Sequence, residues 1–169
     1  METSAARPDE IDVADDAHVD WVRAQCDPAL WHLAAMAALA YRGDPHGFLL
    51  WLVQQPQMDR ATAGWIFFWA EGARYLRGET QFHLSKYASA KMFALFEALC
   101  LRSERVGFAE SSLGLDEDFE PERRACLEVV AAGRVTEGVI VPHVLLNMPF
   151  PRPRADKRYV LDDGLILAL

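Results

Sequence analysis

The stretch M-D-R-A-T-A-G-W-I-F-F-W-A-E-G-A-R-Y-L, Met58 to Leu76, decides the fold. Asp59 stands at a helix-cap position, where a short carboxylate can accept from the free N–H groups of the first turn. Behind it, Ala61, Trp65, Phe68, Gly72 and Tyr75 follow one another at helical spacing, and Thr62, Ile66, Trp69, Ala73 and Leu76 form an adjacent row. Both rows are apolar, so the segment reads as a helix buried on two sides. A third row, Arg60, Gly64, Phe67, Glu71 and Arg74, carries charge only toward its ends and is expected to face solvent or a groove. Gly64 and Gly72 each cost about 1 kcal/mol of helix propensity relative to alanine, and close helix contact is the expected compensation.

Upstream, Asp27-Pro28 and Asp44-Pro45 repeat one start signal, a capping aspartate followed by proline at the first helical position. They predict helices over Pro28–Tyr41, ended by Gly43, and over Pro45–Gln55, stopped by Pro56. Earlier still, Val13, Ala14, Ala17, Trp21 and Val22 have helical spacing and predict a short amphipathic helix from Asp12, docked through Trp21. Residues 1–11 read as a flexible lead-in.

Downstream, Thr80 can cap a helix running to about Arg105, with Met92, Phe93, Phe96, Leu99 and Cys100 as its core stripe. Gly107 to Glu120 holds two glycines, paired serines and Asp116-Glu117-Asp118, and reads as the longest loop. Pro121 opens a helix ending near Gly133. Val144 to Met148 is one helical turn or an extended piece, and the alternating prolines of Pro149–Arg154 hold the chain extended. Arg158–Leu161 and Leu165–Leu167 flank Asp162-Asp163-Gly164, a hairpin signal that needs the helices for support. The expectation is a mainly α, single-domain packed array of about six helices, with a small C-terminal β-hairpin. A helical domain over 12–148 is followed by an extended Pro/Arg segment and hairpin, 149–169, packed on the same domain.

Composition narrows the function classes. Apolar residues make up 51% and charged residues 25%, the balance of a folded globular chain rather than a disordered one. The longest uncharged apolar run, Ala61 to Ala70, is half the ~20 residues a membrane span needs. The N-terminus lacks the basic start and apolar centre of a secretion signal, so the expected location is the cytoplasm. Net charge is −8, and residues 1–20 hold seven acids against Arg7, leaving about −2 for the remainder. That sign disfavours phosphate backbones and favours basic partners, so no nucleic acid and no membrane is expected as a ligand.

The chemistry-bearing residues are sparse. No G-x-G-x-x-G, G-x-x-x-x-G-K-[ST] or G-x-S-x-G occurs, and His18, His32, His46, His83 and His143 form no H-x-x-x-H or H-E-x-x-H pair, so no metal and no cofactor is expected. His83 and Ser85 adjoin without making a base and nucleophile. Cys26, Cys100 and Cys126 lack C-x-x-C spacing and read as buried thiols. Trp21, Trp31, Trp51, Trp65 and Trp69 fit core faces better than a ligand cage. Arg152, Arg154, Lys157 and Arg158 form a basic patch expected to pair with the protein's own acids. Asp59, Glu71 and Arg74 define an alternative ligand groove, either for a polar small molecule or for acid–base chemistry. A helix cap plus an i, i+3 ion pair explains the same residues.

The segment P-Q-M-D-R-A-T-A-G-W-I-F-F-W-A-E-G-A-R-Y-L, Pro56 to Leu76, resembles the signature of bacterial domain-of-unknown-function family 4274. Phe48 to Gln55 is similar to that family's lead-in helix. The likeness covers about Pro45 to Gly78 and departs at Met58, where a cysteine is expected. Members of the family are associated with secreted toxin systems, which implies an immunity role and carries no catalytic residues over. The resulting expectation is a non-enzymatic protein-binding protein that neutralises a basic toxin domain by steric occlusion. Asp116, Glu117, Asp118 and Glu120 would meet that partner.

Overall fold

The computed structural model describes residues 6–82, 89–110, 113–147 and 150–169. It is mainly α, about 52% helical, with a small antiparallel sheet at the C-terminus. Helix α1, Asp16–Ala24, starts at Asp15, whose carboxylate accepts the His18 N–H at 3.1 Å. Asp12, the expected start, accepts from Ala14 N–H instead and pairs with Arg42. Helix α2, Pro28–Met36, is capped by Asp27 and runs into a π-helical turn, Ala37–Arg42, closed by Gly43 at φ 74°. Helix α3 is Phe48–Val53, shorter than Asp44-Pro45 implied. The two oxygens of Asp44 accept from Phe48 N–H and Leu49 N–H at 2.8 and 2.9 Å, so Asp44 caps α3 across an intervening turn.

The central stretch folds as two helices rather than one. Helix α4, Arg60–Trp69, is followed by Glu71 in the left-handed region, φ 65°, and then α5, Gly72–Leu76. Phe67 explains the break. Its ring lies where a Cβ on residue 72 would stand, and it meets Phe96 edge-on at 5.3 Å. The third row is therefore no open side: Arg60 through Phe68 are all buried. The compensation for both glycines is an aromatic ring rather than a neighbouring helix, Phe67 against Gly72 and Phe150 against Gly64.

Helix α6, Ser89–Arg105, packs on α3, α4 and α5 and buries Met92, Leu95, Phe96, Leu99 and Cys100. Thr80 is not helical, and His83, Ser85 and Lys86 lie outside the described residues. The following loop is tied to the core. Ala109 bonds to both sides of the α4 entrance, accepting from Arg60 N–H at 2.9 Å and donating to the Met58 carbonyl at 3.0 Å. Arg102 pins the same region, donating to the carbonyls of Val53, Gln55 and Gly107 at 2.7, 2.5 and 2.9 Å. Arg102→Ala leaves those carbonyls short of a charged donor and is expected to cost about 2–3 kcal/mol in urea unfolding.

Past the loop, a 3-10 turn, Glu117–Phe119, leads into α7, Glu120–Ala131, and α8 is a single turn, His143–Leu146. Strands β2, Tyr159–Asp162, and β3, Leu165–Ala168, pair with Asp162 opposite Leu165. Asp163 and Gly164 both have positive φ, 46° and 84°, which matches the twist of a two-residue hairpin turn. Glu10–Ile11, assigned above to the lead-in, form β1 and pair with β3, making it the central strand of the order β1-β3-β2. Ile11 and Ile166, opposite each other, are fully buried, which supplies the support a lone hairpin lacks.

Candidate functional site

Glu71 and Arg74 are brought together, and Asp59 stands apart from them. Asp59 precedes α4 and Glu71 follows it, so ten helical residues at ~1.5 Å each hold them about 15 Å apart. Asp59 is buried, and one carboxylate oxygen accepts the Ala61 N–H at 2.8 Å. Its other oxygen is buried without a hydrogen bond. Glu71 pairs with Arg74 at 2.9 Å, and Arg74 also reaches Glu79 at 3.2 Å. Glu122 of α7 accepts the Ala73 N–H at 2.9 Å, and burial raises its carboxyl above the usual range. These contacts tie down the ends of α4 and α5, and among the described residues Asp59 shares no contact with Glu71 or Arg74.

The predicted acids stand elsewhere, on the rim of a depression of about 700 Å³. Asp116, Glu117 and Glu120 line it together with Phe68, Phe119 and Phe150. Phe68 meets Phe150 edge-on at 6.3 Å, and Phe119 approaches Trp65 at 6.3 Å. Arg60 lies over the Phe150 ring at 4.3 Å, which fixes the ring from the core side. The acids have internal partners: Glu120 pairs with Arg123 and Arg124 at 2.9 and 3.4 Å, and Glu117 with Arg152 at 3.5 Å. Asp116 caps the 3-10 turn by accepting from Asp118 N–H. Asp118 is exposed and has no ion pair among the described residues.

A second depression, about 410 Å³, shares Leu115, Asp116 and Phe119 with the first and is lined by His32 and Trp65. His32 Nδ1 lies 2.8 Å from Thr62 Oγ1, so α4 orients the imidazole of α2. Sequence reasoning missed this pair. The available signal was one polar residue, Thr62, in an otherwise apolar row, and a histidine within Leu30-Trp31-His32-Leu33. Burial pulls the imidazole down from 6.5 to about 4, partly opposed by the Asp59 charge. The unfolded chain therefore takes up this proton between those values while the folded chain does not, and the contribution is full above pH 6.5 and lost toward pH 4. Stability should fall by at most about 3 kcal/mol across that window. Thermal unfolding of His32→Gln at pH 7 and pH 4.5 should show a smaller decrease than the unsubstituted chain; an equal decrease would refute the assignment.

The remaining candidates have structural roles. Cys100 and Cys126 are buried and burial raises both thiols, that of Cys100 to about 12. Cys26 is exposed, against expectation, because it sits at φ 50° in the turn after α1. Trp21, Trp31 and Trp65 are core residues, and Trp51 and Trp69 are half-buried. Within the basic patch, Arg158 pairs with Asp27 and Asp156 at 2.6 and 3.1 Å. Among the described residues no helix is long and apolar enough to cross a membrane.

No family model, no curated protein and no solved structure matches this chain.

Proposed function

We propose that this chain is a non-enzymatic, cytoplasmic protein-binding protein whose contact surface is the depression bounded by Asp116, Glu117, Glu120, Phe119 and Phe150. The observation that carries this reading is the coincidence of the acids singled out from sequence with a concave aromatic surface. Aromatic side chains in a concave site supply anchoring area, and charges around them supply orientation and encounter rate. Because Glu117 and Glu120 already hold arginines, a basic partner has to exchange with Arg152, Arg123 and Arg124. Asp118 is available to it at once. The resemblance over Pro45–Gly78 favours a toxin domain as that partner and steric occlusion as the mechanism, with this chain as its immunity protein.

Charge reversal tests the surface without disturbing the core. Glu117 and Arg152 are 89% and 91% exposed at their side chains, so Glu117→Lys leaves folding intact. With the purified partner, Glu117→Lys combined with Asp118→Lys should weaken binding about tenfold, mostly through slower association, and the effect should shrink at high salt. Unchanged association at low salt would remove this surface from consideration.

A further inference from the structure

The second depression carries a separate reading. His32 is held from the core side by Thr62, and its opposite nitrogen, Nε2, makes no hydrogen bond among the described residues and is not sealed from solvent. The ring lines the depression, so Nε2 is an oriented polar atom without a partner. With the Thr62 hydroxyl donating to Nδ1, the tautomer this site requires, the proton of the neutral imidazole lies on Nε2. Arg154 also lines the depression and forms no ion pair among the described residues. Asp116 spends one oxygen on Asp118 N–H and keeps the other. Asp156 is occupied by Arg158 and does not compete. Trp65 and Phe119, 6.3 Å apart and edge-on, supply an apolar wall.

We propose that this depression binds a small zwitterion with an apolar side chain, of which a free aromatic amino acid is the simplest example. The carboxylate goes to Arg154 and the His32 Nε2–H, the ammonium to Asp116, and the side chain to the Trp65–Phe119 wall. A volume of about 410 Å³ lies within the usual range for small-ligand sites. Asp116 offers a carboxylate to an ammonium and Arg154 a guanidinium to a carboxylate, so the lining matches both charges of a zwitterion. The site shares Asp116 and Phe119 with the proposed protein-contact surface but does not depend on that reading.

The test uses three probes on the full chain: L-phenylalanine, 3-phenylpropionate, which lacks the ammonium, and phenethylamine, which lacks the carboxylate. Titration calorimetry and the NMR signals of the His32 ring are the readouts. L-phenylalanine should bind with a dissociation constant of about 1 mM or tighter, move the His32 ring signals and raise its titration midpoint. The other two probes should bind at least about tenfold more weakly, the loss of one charged partner each. Arg154→Gln should weaken L-phenylalanine about tenfold and leave phenethylamine unchanged; Asp116→Asn, which retains the cap, should weaken L-phenylalanine and spare 3-phenylpropionate. Failure of L-phenylalanine to move the His32 signals would overturn the proposal, as would equal binding of all three probes or affinities that ignore both substitutions.

Discussion

Phe67→Ala is expected to destabilise the protein by about 4 kcal/mol and to lower the thermal midpoint by about 8–16 °C. Phe67 is fully buried, meets Phe96 and Phe68 edge-on at 5.3 and 5.9 Å, and fills the space left by the missing side chain of Gly72. Its removal opens a void where α4, α5 and α6 converge, and a close-packed interior recovers only part of that loss. The same geometry makes a second substitution informative. Gly72→Ala alone drives a Cβ into the Phe67 ring, whereas in the Phe67→Ala background that Cβ has room. Urea unfolding of the two single variants and the double variant should give a coupling of about 2 kcal/mol, with Gly72→Ala better tolerated in the double. Additive costs would mean that the ring does not set the break between α4 and α5.

Gly114→Ala is expected to cost about 3 kcal/mol and to detach the segment around Pro151. Gly114 packs directly on the Pro151 carbonyl, and that carbonyl accepts the N–H of the next residue, Leu115, at 3.1 Å. A Cβ here meets backbone and not the end of a flexible side chain, so relief requires the two segments to separate. Separation breaks the Leu115–Pro151 hydrogen bond and moves Phe150 and Arg152, which line the first depression, and Arg154, which lines the second. Amide exchange in residues 151–156 should accelerate about 100-fold or more while α2 and α6 keep their protection. Exchange unchanged there would show that this contact does not hold the C-terminal segment.

Local chemistry was legible in the sequence wherever one residue acts on its own chain neighbours. Asp27 and Asp59 cap α2 and α4 as expected, and Asp163-Gly164 makes the hairpin turn. The break at Glu71 was not legible, because it depends on Phe67 reaching over Gly72 to α6, and a continuous periodicity hides that choice. Arg60 misled for a similar reason. Its charge reads as solvent-facing, yet it is buried over Phe150 and pairs with Glu110 at 3.2 Å, partners 90 and 50 residues away. Ile11 was read as part of a loose tail because its strand partner, Ile166, comes from the opposite end of the chain.

The candidate sites divide along the same line. The acids of residues 116–120 were visible as a charged cluster, but their placement beside Phe68 and Phe150 arises only when the C-terminal segment folds back along α4. Asp59, Glu71 and Arg74 looked related because they are polar residues of one otherwise apolar helical stretch, and the left-handed Glu71 divides that stretch in two. His32 drew no attention as a lone histidine on an apolar helix; it becomes chemically distinct through Thr62, thirty positions away and 2.8 Å distant.

The most direct measurement is amide exchange on the chain bound to the protein it captures from its native host. Protection confined to residues 116–124 and 150–152, and lost when Glu117→Lys and Asp118→Lys are combined, is the expected result. A captured protein that instead protects α1 to α3, or no captured protein at all, would contradict the assignment of this surface.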